Sequence, residues 1–220
     1  MSTRRYLAEL VGTFLFLTIG YASVASFIAA GTPGLLVVPF AFSLGLLAAI
    51  FDVGHISGGH FNPAVTVAMV IDRRTRPMDA VGYIVAQLIG AIGAGALVLA
   101  VTGQASVAAG ITKPSNGVTE IGALILETIL TATFIAVILA STKRAPRLAP
   151  LAIPLTLVAI HFASAPLTGA SVNPARSLGS ALVGGDLTSL WIYIVAPIVG
   201  AVLGWAIFRV VDGGGEEALD

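Results

Sequence analysis

Two copies of Asn-Pro-Ala, Asn62-Pro63-Ala64 and Asn173-Pro174-Ala175, are the residues of this chain best placed to do chemistry. An Asn at a helix N-cap accepts backbone N–H groups of the first turn through its side-chain oxygen, which fixes the amide and leaves its NH₂ to donate elsewhere. Proline suits the next position because it has no N–H to leave unpaired and its φ is already helical. A helix start also carries about half a positive charge. Two such starts set head to head gather two amide donors and two positive helix ends at one point, with Ala64 and Ala175 small enough to let the caps meet. A cation is repelled there, whereas a neutral molecule can exchange hydrogen bonds. One copy alone is an ordinary turn and cap. Two copies, each opening a short apolar segment behind a Gly/Ser-rich run, mark a paired site.

The elements around these motifs are set by hydropathy. The 220 residues are 57% hydrophobic and 10% charged, with a mean hydropathy of +0.99, which is too apolar for a water-facing surface. A bilayer core about 30 Å thick takes roughly 20 apolar residues per helix. That length predicts spans near 6–29, 35–53, 80–101, 119–141, 148–166 and 188–210. Segments 62–71 and 173–183 reach only half as far and are expected as half-helices. Arg4-Arg5 faintly resembles the start of an export signal, but Glu9 interrupts the apolar run early, so the segment is expected to be the first span. The formal net charge of zero gives no pull towards nucleic acid. There is no cysteine, and the three histidines are scattered, so thiol chemistry is excluded and a metal centre has little to work with. No phosphate-binding loop or nucleophile triad occurs, and no cofactor is expected.

Basic residues give an orientation. Arg4, Arg5, Arg73, Arg74, Arg76, Lys143, Arg144, Arg147 and Arg209 fall on one face if six spans alternate, which places both termini in the cytoplasm. Lys113 lies in a far-side loop, and Arg176 sits inside the second half-helix, at membrane depth. An intramembrane cation of this kind is a functional-site candidate. The two halves also repeat. Tyr83 to Gly90 returns as Tyr193 to Gly200, the Asn-Pro-Ala motifs are 111 residues apart, and Glu9 with Thr13 returns as Glu127 with Thr131. Three spans per repeat is an odd number, so the second copy enters from the opposite side. The fold class expected is therefore an all-α membrane protein of six transmembrane helices and two re-entrant half-helices in an inverted repeat. It forms one domain over 1–220, with repeats near 4–101 and 119–210 and a disordered polar tail over 211–220.

Residues 57–66 and 168–177, together with Glu9, Glu127 and the Gly59-His60 pair, resemble the two pore loops and their supports in the aquaporin (major intrinsic protein) family, and most closely its bacterial water-selective members. The resemblance runs from about residue 4 to residue 210. It implies a passive water channel, a homotetramer with one pore per protomer, and exclusion of protons and cations by the half-helix dipoles, a mechanism attributed to aquaporins in general. It also implies a four-membered selectivity filter. Arg176, directly after the second motif, matches its arginine. Phe42, twenty residues before Asn62, and His161, twelve before Asn173, match its Phe and His. The fourth position is Ala170, where water-selective relatives often carry Thr or Cys; the smaller side chain could leave the ring wider, though its carbonyl is retained. Physically, Phe42 narrows such an opening, His161 adds bulk and a hydrogen-bonding edge, and Arg176 supplies donors and charge.

Glu9 and Glu127 are expected to accept backbone N–H groups of the loops, with proton relay as the alternative. His60 and His55 are expected at the cytoplasmic vestibule. Asp52 stands where similar proteins carry a small apolar residue, and with His55 it forms a candidate cytoplasmic gate. Three readings stay open beside the water channel: a facilitator for small neutral solutes such as glycerol, hydrogen peroxide or ammonia; a coupled secondary transporter; and a membrane scaffold with a closed pore. Acidic groups near Asn62 or Asn173, which a coupled transporter needs, are missing from the half-helices. If Asp52 and His55 gate the pore, water permeability of reconstituted vesicles changes between about pH 5 and 8, where histidine titrates; a flat profile removes the gate.

Overall fold

The computed structural model describes residues 2–31, 34 and 36–212. The helices are α1 (Ser2–Ala29), α2 (Val37–Ala49), α3 (His55–Ser57), α4 (Pro63–Ile71), α5 (Pro77–Thr102), α6 (Gln104–Ala109), α7 (Glu120–Arg144), α8 (Ala149–Thr168), α9 (Pro174–Gly184) and α10 (Leu190–Val211). Six of these stretches are long and apolar enough to cross a membrane, the second being α2 continued to Ser57. Proline opens α4, α5 and α9, where its missing N–H costs nothing. No strand occurs among the described residues.

Two equivalent sets of helices make the bundle. Helix α1 packs on α5 and α2, and α7 packs on α10 and α8 in the same way. Each half-helix crosses over to the opposite set, α4 against α10 and α9 against α5, while α2 meets α8. The tight crossings are made at glycine. A methyl group on Gly90 would lie 2.5 Å from the Leu10 carbonyl oxygen, and one on its repeat counterpart Gly200 would lie 2.6 Å from that of Thr128. Bare backbone at these positions lets the helices touch along their axes, as membrane helices lacking a hydrophobic drive to associate require.

The basic residues gather at one end. Arg74 pairs with Asp72 at 2.7 Å and donates to Thr142 at 2.7 Å, the Trp205 indole donates to Asp72, and Lys143 and Arg144 both hold Asp212. Those two cations keep the Asp212 carboxyl below the usual carboxylate range. Lys113 and Asp186 pair at the other end. Between the ends the outer surface is apolar: Leu44, Val85, Ile125, Leu155 and Val199 are exposed. That surface matches hydrocarbon and not water.

Three features differ from the sequence expectation. The second span does not stop at 53; it continues through a π-helical turn over Ile50–Gly54 and ends at Ser57, where Gly58 takes φ 98°. The extra residue in that turn widens the helix just before the first motif, a common site for such bulges. Helix α6 was not anticipated, being too short and too weakly apolar to stand out. Val211 is still helical and Asp212 caps it, so the expected tail starts later than 211; the rest of it, 213–220, lies outside the described residues. Replacing Gly200 by Ala forces the α7–α10 crossing apart and should destabilise the protein by about 1–3 kcal/mol. Thermal unfolding in detergent checks this, and an unchanged midpoint contradicts the crossing described here.

Candidate functional site

The two Asn-Pro-Ala motifs act as caps in the way their residues dictate. Asn62 is extended (φ −159°, ψ 123°) and accepts the Ala64 N–H at 2.8 Å. Asn173 accepts those of Ala175 at 3.0 Å and Arg176 at 3.3 Å. Ala64 and Ala175 are fully buried where the caps meet. The amide NH₂ groups, expected to be free, are only half so. Asn62 Nδ2 donates to the Val172 carbonyl at 2.8 Å, and Asn173 Nδ2 donates to the Phe61 carbonyl at 3.0 Å. Each motif therefore holds the loop of the other, and one amide proton per Asn remains for the lumen. The carbonyls reach across because Phe61 (φ 48°) and Val172 (φ 45°) adopt the left-handed region. For a β-branched valine this is a true outlier. Such strain costs on the order of 1–3 kcal/mol per residue and persists only where the surroundings fix it.

What fixes it is a buried carboxyl group in each half. Glu9 accepts from the Ser57 hydroxyl at 2.6 Å, the N–H of His60 at 3.0 Å, the N–H of Phe61 at 2.7 Å and the Gln87 amide at 2.8 Å. Glu127 accepts from the Thr168 hydroxyl at 2.7 Å and the N–H of Ser171 and Val172 at 3.0 and 2.9 Å. A tyrosine closes each loop from the third span: Tyr83 donates to the Ser57 carbonyl and Tyr193 to that of Thr168. All four carboxyl oxygens are engaged in loop backbone and neighbouring side chains, the bracing arrangement expected of Glu9 and Glu127.

Phe42, His161 and Arg176 come together at the end of the lumen away from the basic cluster, and Ala170 lines the same lumen. The rings of Phe42 and His161 stack at 5.2 Å with an interplanar angle of 24°, and the Arg176 guanidinium lies 5.1 Å from the Phe42 ring centre. Arg176 Nη1 donates to the Gly110 carbonyl at 2.8 Å, while its Nε has no protein partner. His161 Nδ1 pairs with the Leu157 carbonyl at 2.9 Å. A carbonyl only accepts, so Nδ1 carries the proton and the unpartnered Nε2 is left as an acceptor in the neutral ring. The constriction thus offers both a donor and an acceptor. Ala170 is left-handed (φ 48°), as is Gly59 at the equivalent place in the first loop.

One continuous lumen is lined by Phe42, His60, Asn62, His161, Asn173 and Arg176, among others. His60 shares a hydrogen bond with Thr66 at 3.0 Å and meets the Tyr83 ring edge-on. Counted by the 111-residue offset of the motifs, the partners of Arg176, His161 and Phe42 are Val65, Ile50 and Ile153, and all three line the same lumen. The end towards the basic cluster therefore carries an apolar ring where the other end carries a polar one. Asp52 and His55 are exposed and line no part of this lumen. His55 borders a neighbouring polar cleft with Arg5, Arg74, Arg76 and Asp79. Among the described residues no cluster of metal-ligating side chains occurs.

Residues 1–208 match the family described as Major intrinsic protein. The chain belongs to that family. It is 42% identical to a protein named Aquaporin Z from Rhodopseudomonas palustris, over 96% of this chain and 95% of the relative. It is also 42% identical to a protein named Glycerol uptake facilitator protein-like 6 from Lactiplantibacillus plantarum, over 94% of this chain and 98% of that one. The X-ray structure of the aquaglyceroporin from Plasmodium falciparum superposes with a TM-score of 0.89 at 24% identity, covering 96% of this chain and 97% of that one, which supports the fold. The protein is thus an integral, multi-pass membrane protein of a channel family.

Several residues of the major intrinsic protein site escaped the sequence reading. Gln87 donates to Glu9 and to Thr66, although the repeat places Pro197 opposite it, a mismatch that was legible. Gly20 gives Phe42 its space: a methyl group there would lie 2.3 Å from the ring. Tyr21 and the Gly110 carbonyl brace Arg176, and nothing in the Gly110 loop sequence announces it. Replacing Glu127 by Gln turns an acceptor into a donor facing donors and should cost about 1–3 kcal/mol of stability. Thermal unfolding in detergent reads this loss; a midpoint equal to that of the unaltered protein contradicts the bracing role.

Proposed function

We propose that the protein is a passive, proton-excluding water channel driven by osmotic gradients. The single observation that carries this reading is a narrow lumen passing both Asn amides and closing, at one end, to Phe42, His161 and Arg176. The lumen has a cavity volume of only about 50 Å³. At the centre, Asn62 and Asn173 each have an N–H to spare, and two helix N-termini point at the same place. A water there accepts from both amides and turns its own protons outwards, away from the centre. A hydrated cation meets positive ends, and a proton meets a chain whose orientation reverses at the middle. At the filter, Arg176 donates and His161 accepts, so a molecule that does both at the size of water loses little on shedding its neighbours.

The names of the relatives divide between water and glycerol. Ala170 favours the second reading, a facilitator of glycerol or other small solutes, because its side chain leaves the filter open on one side. Phe42 and His161 favour water, with hydrogen peroxide and ammonia as minor permeants. Functional residues on this reading are the two Asn-Pro-Ala motifs for orientation of water, Phe42, His161, Ala170 and Arg176 for selection, and Glu9, Glu127 and His60 for support. By the family and by its basic face, the protein works as a homotetramer in a bacterial inner membrane, with both termini in the cytoplasm and a role in osmoregulation. Stopped-flow light scattering of proteoliposomes should show water flux well above that of empty vesicles, low activation energy and little glycerol entry. Flux equal to empty vesicles ends the channel reading, and glycerol entry comparable to its water flux selects the facilitator.

A further inference from the structure

We propose that Tyr21 is a positioning residue of the filter, holding Arg176 and Phe42 in place and thereby setting the ratio of glycerol to water that passes. The inference rests on the channel reading above and adds a determinant that lies outside the four filter positions. Tyr21 is buried in α1, and its hydroxyl donates to the Arg176 carbonyl at 2.5 Å. Its ring meets Phe42 edge-on at 6.1 Å and lies 5.9 Å from the Arg176 guanidinium. Phe42 in turn stacks on His161. Gly110, whose carbonyl receives the guanidinium, sits against the same tyrosine ring: a methyl group on it would lie 3.9 Å from Tyr21 Cδ1. One side chain thus contacts the backbone of the filter arginine, the face of its guanidinium, the loop that anchors it, and the ring that narrows the opening.

The inverted repeat separates this role from simple packing. The residue related to Tyr21 by the offset joining Glu9 to Glu127 is Leu139, and the residue related to Arg176 is Val65. Leu139 is as deeply buried as Tyr21. A repeat of this fold therefore closes with a plain apolar side chain in that place. The phenol appears only in the half that faces the charged filter residue, and its hydroxyl is spent on that residue. Arg176 is the third residue of α9, and its carbonyl also accepts from Ser180 Oγ at 3.3 Å. The tie from Tyr21 links α9, which belongs to the second repeat, to α1 of the first. Without it, the first turn of α9 is free to shift relative to Phe42, and the gap between the guanidinium and that ring is the dimension that admits or rejects a solute larger than water.

The test uses Tyr21→Phe, which keeps the ring and removes the hydroxyl, and Tyr21→Leu, which installs the side chain of the other repeat. In proteoliposomes both variants should retain water flux while the glycerol-to-water permeability ratio rises, roughly fivefold for Tyr21→Phe, as the loss of one ordinary hydrogen bond allows. A purely structural tyrosine lowers the unfolding midpoint and leaves that ratio unchanged; an unchanged ratio in both variants overturns the proposal. A measurement on the unaltered protein stands independently of how the variants fold. Solid-state NMR in lipid should show a through-space correlation between the Tyr21 hydroxyl proton and the Arg176 carbonyl carbon, and its absence also overturns the proposal. Unaltered protein that conducts no water overturns the channel reading instead, an outcome separate from an unchanged ratio in a working channel.

Discussion

Irregular backbone at membrane depth must be paired within the protein or line a cavity, and the two motif loops follow from how this chain meets that constraint. Residues 58–61 and 169–172 leave the helical path in the middle of the bundle, where an unpaired N–H or carbonyl costs several kcal/mol. The structure answers with two carboxyl groups that each take two loop N–H groups and two asparagines that each take one loop carbonyl. The solution is reciprocal. Asn62 donates to the Val172 carbonyl, and the Val172 N–H in turn donates to Glu127. The same bonds that make the loops tolerable also fix the two amides, so their placement is a by-product of satisfying the backbone.

This reciprocity explains why so much was legible in the sequence. Half-helices, caps and carboxyl supports all obey local rules, and each was written twice, so that Asn62 with Asn173 and Glu9 with Glu127 identified one another. The span boundaries followed from length and hydropathy to within a few residues, except where the π-helical turn carried the second span on to Ser57. What stayed hidden lacks a local rule. Left-handed Phe61 and Val172 are poor choices for such a conformation by residue type, and only the bonds made across the midplane account for them. The half-engaged amide protons were missed for the same reason. The partner of Asn62 Nδ2 is a carbonyl 110 residues away, and any residue supplies a carbonyl.

Symmetry then divides the site into what builds a lumen and what gives it character. The paired residues, Asn with Asn, Glu with Glu, Tyr83 with Tyr193, would serve equally well in either direction. They specify a passage but no preference among neutral molecules. The two halves differ in chemistry at the positions where the repeat is broken. Arg176 faces Val65 across the pseudo-two-fold, His161 faces Ile50, and Phe42 faces Ile153. One end of the lumen is thereby a ring of donor, acceptor and aromatic face, and the other is a ring of branched aliphatic side chains. A polar molecule at the apolar ring would find no hydrogen-bond partner among the side chains of Val65, Ile50 and Ile153, whereas Arg176 and His161 carry such groups at the other end.

Ala170 belongs to this asymmetric set and yet looks symmetric, which is the reason it bears on selectivity. Its counterpart is Gly59, and both adopt the left-handed conformation that turns the loop towards the motif. Alanine is strained less in that conformation than the bulky Phe61 or the β-branched Val172 that adopt it two residues on in each loop. Alanine is then the least departure from glycine that still puts a methyl group beside the filter. Its small size therefore has a backbone reason beside any solute it would admit. The stacked Phe42 and His161 rings and the guanidinium beside Phe42 are free of that backbone constraint.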